Sequence, residues 1–333
     1  MPNIITHYTF ALEKALDPSK EHLDATYLGA QGPDPWFYYG TVSKLARPYA
    51  KDVNSIGGVT QHMEMTEPYW AFIVYALNSK DKELLLAYID GLFMHYSLDR
   101  TCHPFVFYNT GFTDRSEDSL KDQHHYNYGH MCFENILDYL VGKTRNALKH
   151  PWKALSLRNK DLLSISLMWY TVNKQIQKVP HIEKNSFALA VKDFRLVQRI
   201  AYSPSGIKKS LFGFLFGKES YPHGLVAFHN LKGFGGCDFL NEKHSDWYMP
   251  AGEKKNESFD DLYEEAGKIY AELHYTIGKA KEGINEKEEI ARIGNHINHE
   301  GIVPGSPKIY WKLIWPSSFQ VDTVKHLTRP EEK

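Results

Sequence analysis

Cysteine is scarce in this chain: its 333 residues include only Cys102, Cys132 and Cys237. The number is odd and no CxxC spacing occurs, which argues against a disulfide framework and a thiolate zinc site and fits a reducing compartment. Long apolar runs are also missing. The most hydrophobic stretches, around Leu162–Val172 and Ser210–Phe216, fall short of the roughly 18 residues that span a bilayer. The opening segment, MPNIITHYTFALEKAL, has no basic n-region, apolar h-region or small-residue cleavage site. A cytoplasmic location is therefore expected. Neither sign of charge dominates, with 39 Lys and Arg against 40 Asp and Glu. Without a global basic field, no stable nucleic-acid partner is expected.

Alternating strand patterns are absent too, while helical periodicity recurs. Apolar residues at i, i+3, i+4 spacing predict helices over Tyr8–Leu16, Pro68–Leu77, Lys82–Leu98, His124–Val141, Lys160–Gln177 and Ser186–Tyr202. Ser258-Phe259-Asp260-Asp261 reads as a capping box opening a further helix to about Ala280. The fold class expected is all-α. Residues 1–145 would carry the core helices, and 146–333 further helices of the same domain, long loops and an irregular C-terminal tail. Segments 30–39, 107–123 and 204–256 read as irregular. Gly233-Phe234-Gly235-Gly236 has no preceding strand and no following Lys-Ser/Thr, so it is a flexible loop and not a phosphate cradle. The tail from Gly301 would wrap the surface, anchored by Trp311 and Trp315.

Eight of the seventeen histidines precede residue 134, and carboxylates accompany them at helical spacing. In His95-x3-Asp99-x3-His103, successive positions drift roughly 40° around a helix, so all three share one face. His130-x3-Glu134 would add two more donors from a second helix. Imidazole and carboxylate without thiolate suit a catalytic zinc-type site that keeps a position open for water.

The ordered series Asp34, His62, His95, Asp99, His103, His130 and Glu134, with the turn Gly29-Ala30-Gln31-Gly32-Pro33-Asp34-Pro35, resembles the bacterial zinc-dependent phospholipase C family over about residues 1–135. That resemblance implies an all-α phospholipase C/P1 nuclease-like bundle around two or three zinc ions. Asp34, His62, His95 and Asp99 would hold the first ion, and His103, His130 and Glu134 the second. A third would use the N-terminal amine, His7 and Asp99. The chain departs from the secreted members in beginning Met1-Pro2 in place of a mature Trp, and in a shorter Asp99–His103 gap.

The chemistry implied is phosphoester hydrolysis, a metal-bound hydroxide attacking phosphorus. The substrate would be a phosphodiester, with a phospholipid headgroup as one candidate. Asp34 is the candidate to orient or deprotonate the water, or it serves as ligand alone; the residues leave both open. A nuclease or phosphatase on a soluble substrate, and a noncatalytic metal-stabilised protein, are the alternatives. Trp36, Phe37, Tyr38, Tyr39, Tyr69 and Trp70 could wall a pocket or fill the core. His124 and His125 could face substrate or solvent. Glu64 and Glu67 could contact a cationic headgroup, or simply fit a helix N-terminus by its dipole. His229, His244, His296 and His299, lacking a carboxylate at ligand spacing, are expected to be structural or surface residues.

Overall fold

In the computed structural model, residues 3–16, 21–41, 47, 49–112, 120–145, 150–218, 220–226, 231 and 237–310 are described. Pro2, His229, Gly233–Gly236, Trp311, Trp315 and the His125 side chain lie outside the described residues. The architecture is mainly α. The helices are α1 (Ile4–Lys14), α2 (Leu23–Gly29), α3 (Ala50–His62), α4 (Thr66–Leu77), α5 (Lys82–Thr110) and α6 (Leu120–Thr144) in the first half. Then follow α7 (Asn159–Gln175), α8 (Ser186–Ala201), α9 (Ile207–Phe216), α10 (Tyr221–Leu225), α11 (Phe259–Lys281) and α12 (Lys287–Gly294). Among the described residues the only sheet is one antiparallel hairpin, Trp247 opposite Lys255 and Tyr248 opposite Lys254. None of the described helices is long and apolar enough to cross a membrane.

Helix α5 organises the rest. Of its 29 residues 21 are buried, so it is apolar nearly all round, as a helix enclosed by others must be. It packs against α2, α4, α6 and α11. Where the apolar periodicity predicted an end at Leu98, the helix continues to Thr110, through Pro104. Proline removes the bond to the Arg100 carbonyl, at a cost of about 3 kcal/mol in a helix interior. Burial of Phe105, Val106 and Phe107 on the far side of Pro104 opposes that cost, since each buried side chain of this size contributes roughly 1.5–3 kcal/mol. The irregular segment expected from residue 107 therefore starts only at Gly111, and His103 stays on the same helix as His95 and Asp99.

The crossing of α2 over α5 depends on two glycines. A methyl group at Gly29 would lie 2.1 Å from the Tyr88 carbonyl oxygen, and one at Gly91 would lie 2.2 Å from that of Thr26. Only hydrogen at both positions lets the backbones touch, and the touch brings the Asp34 turn down onto α5.

Residues after 145 share this core. One hydrophobic cluster runs from Ile4 to Ile293; α11 lies along α5, and α8 packs on the 3-10 turn Asp34–Tyr38. The α11 capping box forms as expected, with the Asp261 N–H donating to Ser258 Oγ at 3.2 Å and the Ser258 N–H to Asp261 Oδ2 at 2.9 Å. Among its described residues the stretch 204–256, expected to be irregular, contains α9, α10 and the hairpin.

Candidate metal centre

Helical spacing on α5 sets the centre of the cluster. His95 Nε2 lies 2.9 Å from Asp99 Oδ2, both side chains wholly buried. Helix α1 brings His7, whose Nε2 is 3.2 Å from Asp99 Oδ1 and whose ring stacks on His95 at 4.3 Å. The loop after α12 brings His299, its Nδ1 4.0 Å from Asp99 Oδ2. On α6, His130 Nε2 meets Glu134 Oε1 at 2.7 Å, and the His103 ring lies 5.9 Å from that of His130. Three groups of donor atoms result, each within 4.8 Å: His7, Asp34 and His95; His95, Asp99 and His299; His103, His130 and Glu134.

Local sequence explains why each group arrives. Gly32 adopts φ +52°, and a methyl group there would sit 2.1 Å from the His95 ring, so this turn can close over the imidazole only as glycine. Two residues before it, the Ala30 carbonyl is 3.1 Å from His95 Nδ1. His7 is placed by Asp138 of α6, whose carboxylate accepts from the N–H groups of Ile5 and Thr6 at 3.0 and 2.8 Å and from Thr6 Oγ1 at 2.7 Å. These are donors that the first turn of α1 would otherwise leave unmatched. The His299 loop is fixed by Arg100, which donates to the Ile293 carbonyl at 2.9 Å, and by Tyr96, which donates to that of Ile297 at 2.8 Å. Asn298 adds a bond to the His62 carbonyl, and the His299 N–H one to Gln61.

The outer ring nitrogens are engaged. His103 Nδ1 is 2.7 Å from the His299 carbonyl, and His299 Nε2 is 3.3 Å from the Tyr69 hydroxyl. With the His95–Ala30 contact, three imidazoles thus turn their remaining nitrogen toward the carboxylates, the arrangement that orients metal-ligating histidines.

The inward atoms are not satisfied by one another. Both ring nitrogens of His7, His95 Nε2, both Asp99 oxygens and His299 Nδ1 are buried without a hydrogen bond of acceptable geometry, although they approach to 2.9–4.0 Å. Each buried polar atom left unmatched costs about 1–3 kcal/mol. A tetrahedral zinc with bonds near 2.1 Å would hold its ligand atoms about 3.4 Å apart, within the observed spread. The donor set therefore fits a divalent cation.

Electrostatics agree in direction. Burial opposes ionisation of Asp99, yet His95, His103 and His7 hold its carboxyl well below the usual range. Burial depresses His103 to about 4 and His299 to about 3, leaving both neutral and able to ligate at pH 7. Glu134 is brought down to about 2 by His130 in spite of its burial. Asp34 differs, because burial raises it well above the ordinary carboxylate value, helped by Asp99 and opposed by His95.

A cleft of about 310 Å³ opens on one side of the cluster, with Asp34, His103, His130 and Glu134 on its floor and Phe37, Tyr38, Phe107, Tyr126, Phe194 and Tyr221 among its walls. Gln61 Nε2 lies 3.4 Å from Asp34 Oδ1 there. The aromatic run thus divides: Phe37 and Tyr38 face the cleft, whereas Trp36 packs in the core on Trp169 and Phe187.

His62 falls outside the three groups. Its side chain is 54% exposed, Nδ1 contacts the Gly58 carbonyl at 2.6 Å and Nε2 meets Glu300 at 3.1 Å. The register of α3 turns it toward the rim. His299, expected to be a structural or surface residue, is wholly buried and lies beside His95 and Asp99. Its partner lies 200 positions earlier, beyond the reach of any spacing rule. His296 and His244 are exposed. Glu64 accepts from the Thr66 N–H, and Glu67 pairs with Lys287, in keeping with helix-terminal roles.

No protein-family model, curated protein or solved structure matches the chain.

Proposed function

We propose that the protein is a metal-dependent phosphoric ester hydrolase of the zinc phospholipase C/P1 nuclease type. The observation that carries this reading is the joining of two buried imidazole–carboxylate groups through His95, with Asp34 of one of them also lining the cleft beside the third group, His103, His130 and Glu134. The mainly helical architecture and the absence of thiolate from these groups support it. Zinc is the cation that such a donor set suits best.

Divalent ions bound in these groups would lower the pKa of water and offset the charge that grows on a phosphoryl oxygen. The chain supplies the rest. His7, His95, Asp99 and His299 hold the inner part of the centre rigid, since Ala30 and Tyr69 engage the outer nitrogens of His95 and His299 and Asp138 fixes the first turn of the helix that carries His7. Asp34 orients the attacking water and accepts its proton, a task suited to a carboxylate raised by burial. Gln61 keeps the Asp34 carboxylate directed at the cleft. Phe37, Tyr38 and Phe107 exclude bulk water and leave a cleft wide enough for a phosphodiester.

Purified protein should hydrolyse p-nitrophenyl phosphorylcholine or bis-p-nitrophenyl phosphate at saturating zinc and lose that activity to a chelator. Inactivity on both, and on single-stranded DNA, would overturn the reading. Preference for DNA would move the protein to the nuclease branch of the same chemistry.

A further inference from the structure

Helix α9 inverts the usual amphipathic arrangement. Ile207, Leu211, Phe214 and Leu215 follow i, i+4, i+7, i+8 spacing and so form one apolar stripe, yet the stripe faces outward: Phe214 is 85% exposed and Ile207 70%. No residue of α9 is buried. Leu196 and Ile200 on the outer side of α8 extend the exposed apolar surface, and Lys208 ties the two helices by donating to the carbonyls of Arg199 and Ile200.

The same stretch is one-signed in charge. Between Asp193 and Glu219 the sequence carries Arg195, Arg199, Lys208, Lys209 and Lys218 and no acidic residue, in a chain whose overall charge is −1; Arg199 and Lys218 are exposed, whereas Lys209 turns inward to the His223 and Val226 carbonyls and the Arg195 Nε is buried. Lys218 is exposed just past the end of α9, where Gly217 at φ +93° turns the chain out of the helix. Exposed aromatic and aliphatic side chains beside cations are the composition of a helix that lies in a membrane interface, where the rings enter the acyl boundary and the cations meet anionic headgroups.

We propose that the outer face of α8 and α9 is a membrane-docking surface selective for anionic lipid. A second copy of the chain is disfavoured as occupant, because a symmetric contact would oppose two sets of like charges. The position of the surface gives docking a consequence. Helix α10, which follows α9, contributes Tyr221 and Leu225 to the cleft wall, and α8 contributes Phe194. A docked protein would hold its cleft beside the lipid headgroups. The inference goes beyond the hydrolase reading and relies on it only for what the cleft does there.

Co-sedimentation of the full chain with vesicles tests it without turnover. Binding is expected to phosphatidylcholine–phosphatidylserine vesicles, weaker to phosphatidylcholine alone, and to fall with added salt. The double variant Phe214→Ser/Leu215→Ser, whose side chains lie on the stripe and outside the cleft, should lose at least about tenfold in vesicle partitioning while its hydrolysis of a small soluble phosphodiester and its thermal melt stay unchanged. Lys218→Glu should reduce the preference for the anionic vesicles. Equal partitioning of variant and parent, no partitioning of the parent, or a parent dimer that the double variant converts to monomer would each overturn the proposal. Failure on the soluble substrate alone would count against the hydrolase reading and leave the docking result standing.

Discussion

His7, His95, Asp99 and His299 are sealed within the helices, whereas His130 and Glu134 keep partial solvent access at 17% and 11% exposure and form, with His103, the floor of the cleft. The sealed end has its carboxylate surrounded by three imidazoles and is pinned by Ala30, Tyr69 and Asp138 contacts from other elements. The open end rests on an i, i+4 pair of a single helix. The difference separates two tasks. A buried set can hold an ion permanently but cannot exchange its ligands, while an open set can admit water or a phosphate oxygen. Asp34 touches both, lying in the buried group with His7 and His95 and in the lining of the cleft.

The largest effect should come from Asp99→Ala, which removes the carboxylate common to His7, His95 and His299. Metal analysis should show the sealed end depleted, and turnover should fall by at least about 1,000-fold, because metal ions contribute several kcal/mol of transition-state stabilisation and each 1.36 kcal/mol is tenfold. Unchanged metal content would show that Asp99 is not a ligand. Glu134→Gln should break the open end alone: turnover falls about 100-fold, zinc content drops by about one equivalent, and the melting temperature moves little.

After chelation the comparison becomes one of acid stability. His103 and His299 have folded-state values depressed to about 4 and about 3, below the unfolded value near 6.5. As pH falls through 6.5 the unfolded chain takes up protons that the folded chain refuses. Stability is therefore fully present above about 6.5 and declines as the pH falls toward 4, by about 1.4 kcal/mol per pH unit for each histidine. Asp138, raised to about 7 by burial, takes up its proton in the folded chain over the same range and works the other way, so the histidine slope is read as the difference between urea titrations of the parent and of a His103→Gln/His299→Gln variant; identical pH profiles would show that the two imidazoles are not buried. The smallest effect belongs to His62→Ala. As an exposed partner of Glu300 it should change stability by about 0–1 kcal/mol and leave zinc content at the parent level. Loss of an ion in this variant would return His62 to the cluster.

The sequence foretold these regions unevenly. His95 with Asp99, and His130 with Glu134, are local pairs, and a period of 3.6 residues is enough to know that they meet. Helix α5 was visible but its length was not, because Pro104 is a local stop signal that tertiary burial overrides. His299 was invisible: its approach to Asp99 is set by Arg100 and Tyr96 gripping the end of α12, a relation that no spacing encodes. His62 shows the reverse failure. It has its place in the ordered series, yet the register of α3 sends its ring to Glu300 at the rim. The capping box of α11 was readable because both of its bonds lie within four residues.

Diffraction data from zinc-loaded crystals, collected on either side of the zinc absorption edge, test the central claim most directly. Anomalous peaks are expected within the three donor groups, one of them bounded by His95, Asp99 and His299 and one by His103, His130 and Glu134. A zinc-loaded crystal with no anomalous peak at Asp99, or with its peaks at surface carboxylates, would contradict it.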